Sequence, residues 1–140
     1  MLDEEEFRRW LRQAEHTLES AERDRSERDY AWACFKAEQA AQCALKALLI
    51  GVGQVAHGHS LRRLIQQVEA VGLPVPPDVA VAAEGLERHY IPSRYPDAYP
   101  AGSPFEFYHE EQAQEAIQWA NHVLDFVEET FRSVQRASTS

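Results

Sequence analysis

Arg88-His89-Tyr90 and Arg94-Tyr95-Pro96-Asp97-Ala98-Tyr99 place two guanidinium groups, an imidazole, a carboxylate and three phenols within twelve residues. Arginine's planar fork suits a phosphate, and a tyrosine ring can stack on a base. One reading makes this cluster a ligand site: Arg94 binds phosphate, Asp97 orients Arg94, Tyr95 or Tyr99 stacks, and Arg88 assists. The alternative makes it a structural device in which Arg94 and Asp97 pair to fix a loop and the tyrosines plug the end of a bundle. Other chemistry-bearing residues are sparse. His57-Gly58-His59 offers two imidazoles without a third ligand nearby, which fits a loop feature better than a metal site. Glu38, Gln42 and Lys46 form a polar line on an otherwise apolar helix, expected to be a solvated face or a helix-to-helix hydrogen bond. There is no glycine-rich phosphate loop, HExxH, CxxC or GxSxG pattern, and no cofactor or metal is expected.

The elements that must position these residues are all helical. From Asp3 to about Arg25, Phe7, Trp10, Leu11, Ala14, Leu18 and Ala21 recur at spacings of three and four, with Asp3 to Glu6 complementing the positive helix end. A second helix runs from about Arg28 to Ile50 through Tyr30, Ala33, Cys34, Ala37, Ala40, Ala41, Ala44 and Leu48. Its small residues permit close approach, so it should be the most buried, and Gly51 is expected to end it. Gly51–Gly58 reads as a loop, and a short helix spans about Ser60 to Val71, ended by Gly72. Pro74, Pro76 and Pro77 force a connection, with Asp78 the expected cap of another short helix through Val79, Ala82, Ala83, Leu86 and Tyr90. Residues 91–104 hold Pro92, Pro96, Pro100 and Pro104, which no helix survives; so long a loop is more often functional than idle. Ser103-Pro104-Phe105-Glu106 has the residues of a capping box, and the last helix starts near His109 and ends about Val134. No segment alternates with the period of a strand. The expectation is an all-α, antiparallel, bundle-like domain of three long and two short helices over residues 1–136, with 137–140 a disordered tail.

The 140 residues carry a net charge of -9, and the sign is uneven. Residues 1–29 have 6 basic and 10 acidic side chains, residues 30–77 have 4 and 2, and residues 78–140 have 4 and 11. An acidic balance argues against tight, sequence-independent binding to nucleic acid, so any nucleotide site must be local and weak. The longest apolar run, Ala44–Val52, falls far short of the roughly 20 residues that span a bilayer, and the acidic start lacks a signal peptide's basic one. A cytoplasmic protein is expected. Cys34 and Cys43, nine positions apart on one helix, point to opposite faces and cannot pair. Trp10, Trp32 and Trp119 fall on three different helices, more aromatic surface than a small bundle hides, which points to a homodimer.

The run from Phe35 to Leu49 (Phe-Lys-Ala-Glu-Gln-Ala-Ala-Gln-Cys-Ala-Leu-Lys-Ala-Leu-Leu), then His59-Ser60-Leu61, then Tyr90 followed by Arg94-Tyr95-Pro96-Asp97, resembles the HEPN family over roughly residues 7–132. The resemblance implies a five-helix domain, usually a homodimer and often encoded beside a minimal nucleotidyltransferase in prokaryotic toxin-antitoxin-like pairs. It also implies, for many members, a metal-independent ribonuclease motif of Arg, four to six residues, then His. Arg94 matches that arginine, but Tyr99 stands at the fifth position after it and no His falls in the window. Arg9 and His16 fit the spacing only inside the first helix. A phenol titrating near 10 is a poor proton shuttle at neutral pH beside an imidazole near 6.5. The expectation is therefore a module that binds a nucleotide, a nucleotidyltransferase partner, or both, without turnover. The first alternative is a ribonuclease using Arg94 and Tyr99, with His89 or His109 supplying the missing imidazole. The second is a protein-interaction module with no small ligand.

Overall fold

In a computed structural model that describes residues 1–139, α1 spans Glu4–Ser26 and α2 spans Tyr30–Gly51. The Asp3 carboxylate caps α1 by accepting from the Glu6 amide at 3.1 Å, with Glu4, Glu5 and Glu6 in the first turn. Phe7, Leu11, Ala14, Leu18 and Ala21 are its buried stripe, as their spacing requires. A tight turn folds α2 back along α1, with Arg28 at φ 65° and the Asp29 amide donating to the Asp24 carbonyl. Lys36 crosses the hairpin to Asp24 at 2.8 Å.

Two short helices follow, α3 (Leu61–Ala70) and α4 (Pro77–Glu87). Beyond them come a 3-10 turn (Pro96–Ala98), the one-turn α5 (Pro104–Phe107) and the long α6 (Glu110–Thr139). The architecture is all-α, with no strand among the described residues. Arg8 pairs with Glu128 at 2.9 Å near one end of α1, and Arg25 with Glu110 at the other. These pairs make α6 antiparallel to α1 and parallel to α2. Helix α2 packs against α1, α3, α4, α5 and α6, and its buried alanines let those neighbours approach closely. Cys34 is buried and Cys43 half-buried, and neither is in a disulfide.

Several local expectations are corrected. Gly51 does not end α2 from outside; it is the helix's last, buried residue, and Gly53 at φ 87° takes the left-handed position. The reason is packing: a Cβ on Gly51 would lie 2.8 Å from Phe131 Cε1 and 2.9 Å from Phe7 Cβ, where those rings stack at 3.8 Å. Asp78 is inside the first turn of α4 rather than its cap, because Pro77 takes the first helical position and Pro76 precedes it. Helix α4 stops at Glu87, so Tyr90 is in the loop. Ser103 makes no side-chain cap, and Pro104–Phe107 is a separate turn, the element added to the five expected helices. Helix α6 continues past Val134 through residues 137–139, with Ser138 Oγ and Thr139 Oγ1 donating to carbonyls three residues back. Ser140 lies outside the described residues. No helix among those described is long and apolar enough to cross a membrane.

Candidate functional site

Beyond Glu87 the chain makes successive turns, with the His89 amide donating to Leu86, Tyr90 to Glu87, and Arg94 and Tyr95 both to the Ile91 carbonyl. Ser93 Oγ donates to the His89 carbonyl and Tyr99 Oη to the Pro92 carbonyl at 2.8 Å, which closes the loop on itself. The proline-rich segment is thus a fixed frame, and Arg94 projects from it.

Arg94 Nε and Nη2 donate to the Tyr90 carbonyl at 3.0 and 2.6 Å, and Nη1 reaches Tyr95 Oη at 3.5 Å. Its guanidinium carbon lies 4.1 Å from the centroid of the Phe35 ring and 4.8 Å from those of both Tyr90 and Tyr95. Three ring faces around one cation form a cage of cation–π contacts. Trp32 extends it by meeting Phe35 edge-on at 5.8 Å. Guanidinium has five N–H groups, so one on each terminal nitrogen stays available, and together they make the edge that suits two phosphate oxygens.

Glu38 lies one turn beyond Phe35 on α2 and is fully buried. Its oxygens accept from Gln39 Nε2 at 2.8 Å and Gln42 Nε2 at 2.6 Å. Burial pushes its carboxyl up to about 7; the two amides and the Arg94 charge oppose that rise, and the Glu87 carboxylate adds to it. The polar line is therefore neither a solvated face nor a bridge between helices. Its hydrogen bonds stay within α2, and only Lys46 is part-exposed.

The predicted cluster divides. Arg94, Tyr90 and Tyr95 come together, and the loop holds them. Asp97 does not orient Arg94: it is exposed on the 3-10 turn and makes no hydrogen bond or ion pair among the described residues, and the Tyr90 carbonyl does that work instead. Arg88 is exposed and lines a separate groove with Arg62, Glu84 and Glu87. Tyr99 is committed to Pro92 and stacks on Phe107 at 4.7 Å. His89 Nδ1 is 2.9 Å from Tyr108 Oη, and burial, aided by the Arg88 charge, lowers its imidazole to about 4. That leaves it neutral near pH 7. His109 is exposed just ahead of α6, its amide donating to Gln112 Oε1 at 2.8 Å. His57 braces its loop through backbone bonds to Gln67, whereas the His59 ring runs within 15° of parallel to Tyr90, centroids 6.3 Å apart. Sequence reasoning missed Phe35 and the burial of Glu38. Their spacing of three, on the same helix face, was the available signal.

Fold and site define a small helical module with an aromatic-caged arginine on the loop after α4 and a buried carboxylate, Glu38, on α2. The HEPN domain family matches residues 7–130, and the chain belongs to that family. TT1696 from Thermus thermophilus is 47% identical over 89% of this chain and 97% of its own, with a TM-score of 0.85. ST0689, an archaeal HEPN homologue, is 38% identical over 89% and 97%, with a TM-score of 0.75. TM0613, a HEPN domain protein from Thermotoga maritima, is 27% identical over 86% and 95%, with a TM-score of 0.71. No curated protein matches the chain.

Proposed function

We propose that this HEPN domain is a nucleotide-binding module in which Arg94 contacts phosphate and Tyr95 packs on the ligand, without turnover of its own. The observation that carries this reading is the caged guanidinium, fixed by the Tyr90 carbonyl while its terminal edge keeps two free N–H groups. Arg88, Asp97 and Tyr99 move out of direct ligand contact in this reading: Arg88 and Asp97 stay at its exposed margin, and Tyr99 holds the loop. Of the residues that a ribonuclease would need near Arg94, Tyr99 bonds to Pro92 and His89 to Tyr108. That favours binding over cleavage.

The same reading takes residues 1–136 as one domain and the protein as a cytoplasmic, prokaryotic homodimer. A nucleotidyltransferase-type protein is its partner, as in toxin-antitoxin-like pairs. Exposed Trp32, Ile91, Tyr95, Phe105 and Phe107 support a contact surface beside the arginine.

Calorimetric titration with AMP, ATP and a short RNA tests the proposal. Binding is expected to be weak and salt-sensitive, and to fall about tenfold in Arg94→Lys, which keeps the charge but loses the fork, while Arg132→Lys changes little. No heat with any ligand, or equal loss from both substitutions, would make the cage a structural device. RNA cleavage that disappears in Arg94→Ala would replace binding with catalysis.

A further inference from the structure

His59, Ser60, Glu87, Tyr90, Ile91 and Pro92 line an open pocket of about 410 Å³, and the surface it presents is almost wholly apolar. A polar ligand meets little there that could orient it, whereas an apolar side chain needs no partner atoms to be held. The walls include the His59 and Tyr90 rings, within 15° of parallel, and Ile91, which is 45% exposed. An aromatic side chain lodged against them gains ring contact in addition to burial.

The chain carries such a side chain on the same patch. Phe105 is 72% exposed on α5, a single turn anchored by the buried Pro104, and it makes no ring contact of its own among the described residues. Phe107, two residues on, stacks on Tyr99 at 4.7 Å, and Tyr99 Oη donates to the carbonyl of Pro92, which lines the pocket. Knob and pocket are therefore fixed to one frame, the loop between α4 and α5. The charges agree with the shapes. Glu106 beside Phe105 and Arg94 against the Tyr90 ring have opposite signs, and neither has an ion-pair partner among the described residues.

We infer that this pocket receives Phe105 of a second copy of this chain, packed against His59, Tyr90 and Ile91. The inference rests on the homodimer reading and adds where the two copies meet and what each gives the other. A knob and a hole on one patch are what a two-fold dimer requires: each copy inserts its own Phe105 and receives the other's, so the contact forms twice. The inserted ring closes the open side of the pocket at Tyr90, whose carbonyl holds Arg94, and brings Glu106 of the second copy toward that guanidinium.

The test combines sedimentation equilibrium of the full chain with disulfide trapping. Phe105→Ala and Ile91→Asp, both at exposed positions that the fold does not depend on, should each weaken the dimer by at least about thirtyfold. Val71→Ser, at the far end of α3 in a groove with Leu2 and Val134, should change it little. For trapping, a tagged Phe105→Cys chain is mixed with an untagged His59→Cys chain under oxidised glutathione. The mixture should give a covalent tagged–untagged dimer, and neither variant alone should match its yield, since Cys34 is buried and Cys43 half-buried. A dimer that Phe105→Ala leaves intact, or one that yields no mixed disulfide, overturns this docking while the homodimer stands on another face. A single-chain mass for the unmodified protein overturns both.

Discussion

Gln42 Nε2 donates to Glu38 Oε2 at 2.6 Å, one turn along α2, with both side chains buried. With burial raising the Glu38 carboxyl from 4.5 to about 7, the folded protein holds a proton that the unfolded chain releases between those values. Stability contributed by the neutral carboxyl is therefore fully present below about pH 4.5 and lost as pH rises toward 7. Glu38→Gln removes the titration. Urea melts at pH 5, 6, 7 and 8 should show wild-type stability falling relative to the variant by an amount on the order of 1–3 kcal/mol. Parallel curves would mean that Glu38 is ionised throughout.

His89 acts with the opposite sign. Its imidazole is lowered from 6.5 to about 4, so the unfolded chain binds the proton first and the folded state is destabilised as pH falls through that interval. The contribution is fully present above about pH 6.5. An NMR titration should find the His89 ring neutral down to about pH 5, and His89→Gln should flatten the acid limb of the stability curve. A His89 titration near 6.5 would show the ring to be solvated and would return it to consideration as a proton shuttle.

The long helices were legible because a stripe such as Phe7, Leu11, Ala14, Leu18 and Ala21 has one period and one buried side. Helix α2 was legible as buried but not in detail. Where neighbours pack on nearly every side, spacing alone cannot tell a polar residue facing water from Glu38 and Gln42 bonded to each other inside the core. Arg94 stood out through the prolines around it, but its partner did not. A backbone carbonyl such as that of Tyr90 leaves no mark in the residue types, and the nearby Asp97 was the visible carboxylate. The ends of elements depended on tertiary contact: Gly51 answers to Phe7 and Phe131, which are distant in sequence.

The exposed aromatic surface leads to a prediction about assembly. Trp32 is 46% exposed and meets the cage through Phe35, and Phe105 is 72% exposed on α5, which packs on α2. A stable dimer buries above about 1,000 Å² in total, and these exposed rings are the surface we propose a second copy covers. Sedimentation at micromolar concentration should give twice the chain mass of 16.0 kDa, and Trp32→Ser with Phe105→Ser should give the single chain. A single-chain mass for the unmodified protein would end the homodimer proposal.

Helix α4 carries Glu87 and delivers the loop that holds Arg94, so its seat on α6 sets the geometry of the whole site. That seat is the contact between Gly85 and Trp119: a Cβ on Gly85 would overlap the indole, coming within 2.5 Å of Cη2. Helix propensity alone favours Gly85→Ala by about 1 kcal/mol, since glycine is a poor helix former. Overpacking opposes it by about 1–3 kcal/mol, because an indole wedged between two helices cannot yield without moving α4. The net expectation is a loss of stability in urea melts, together with weaker AMP binding as Tyr90 and Arg94 shift. Trp119→Leu in the Gly85→Ala background makes room for the new methyl group, so the double variant should cost less than the sum of the two single changes. Stabilisation by Gly85→Ala, or strict additivity, would show that α4 takes its position from other contacts.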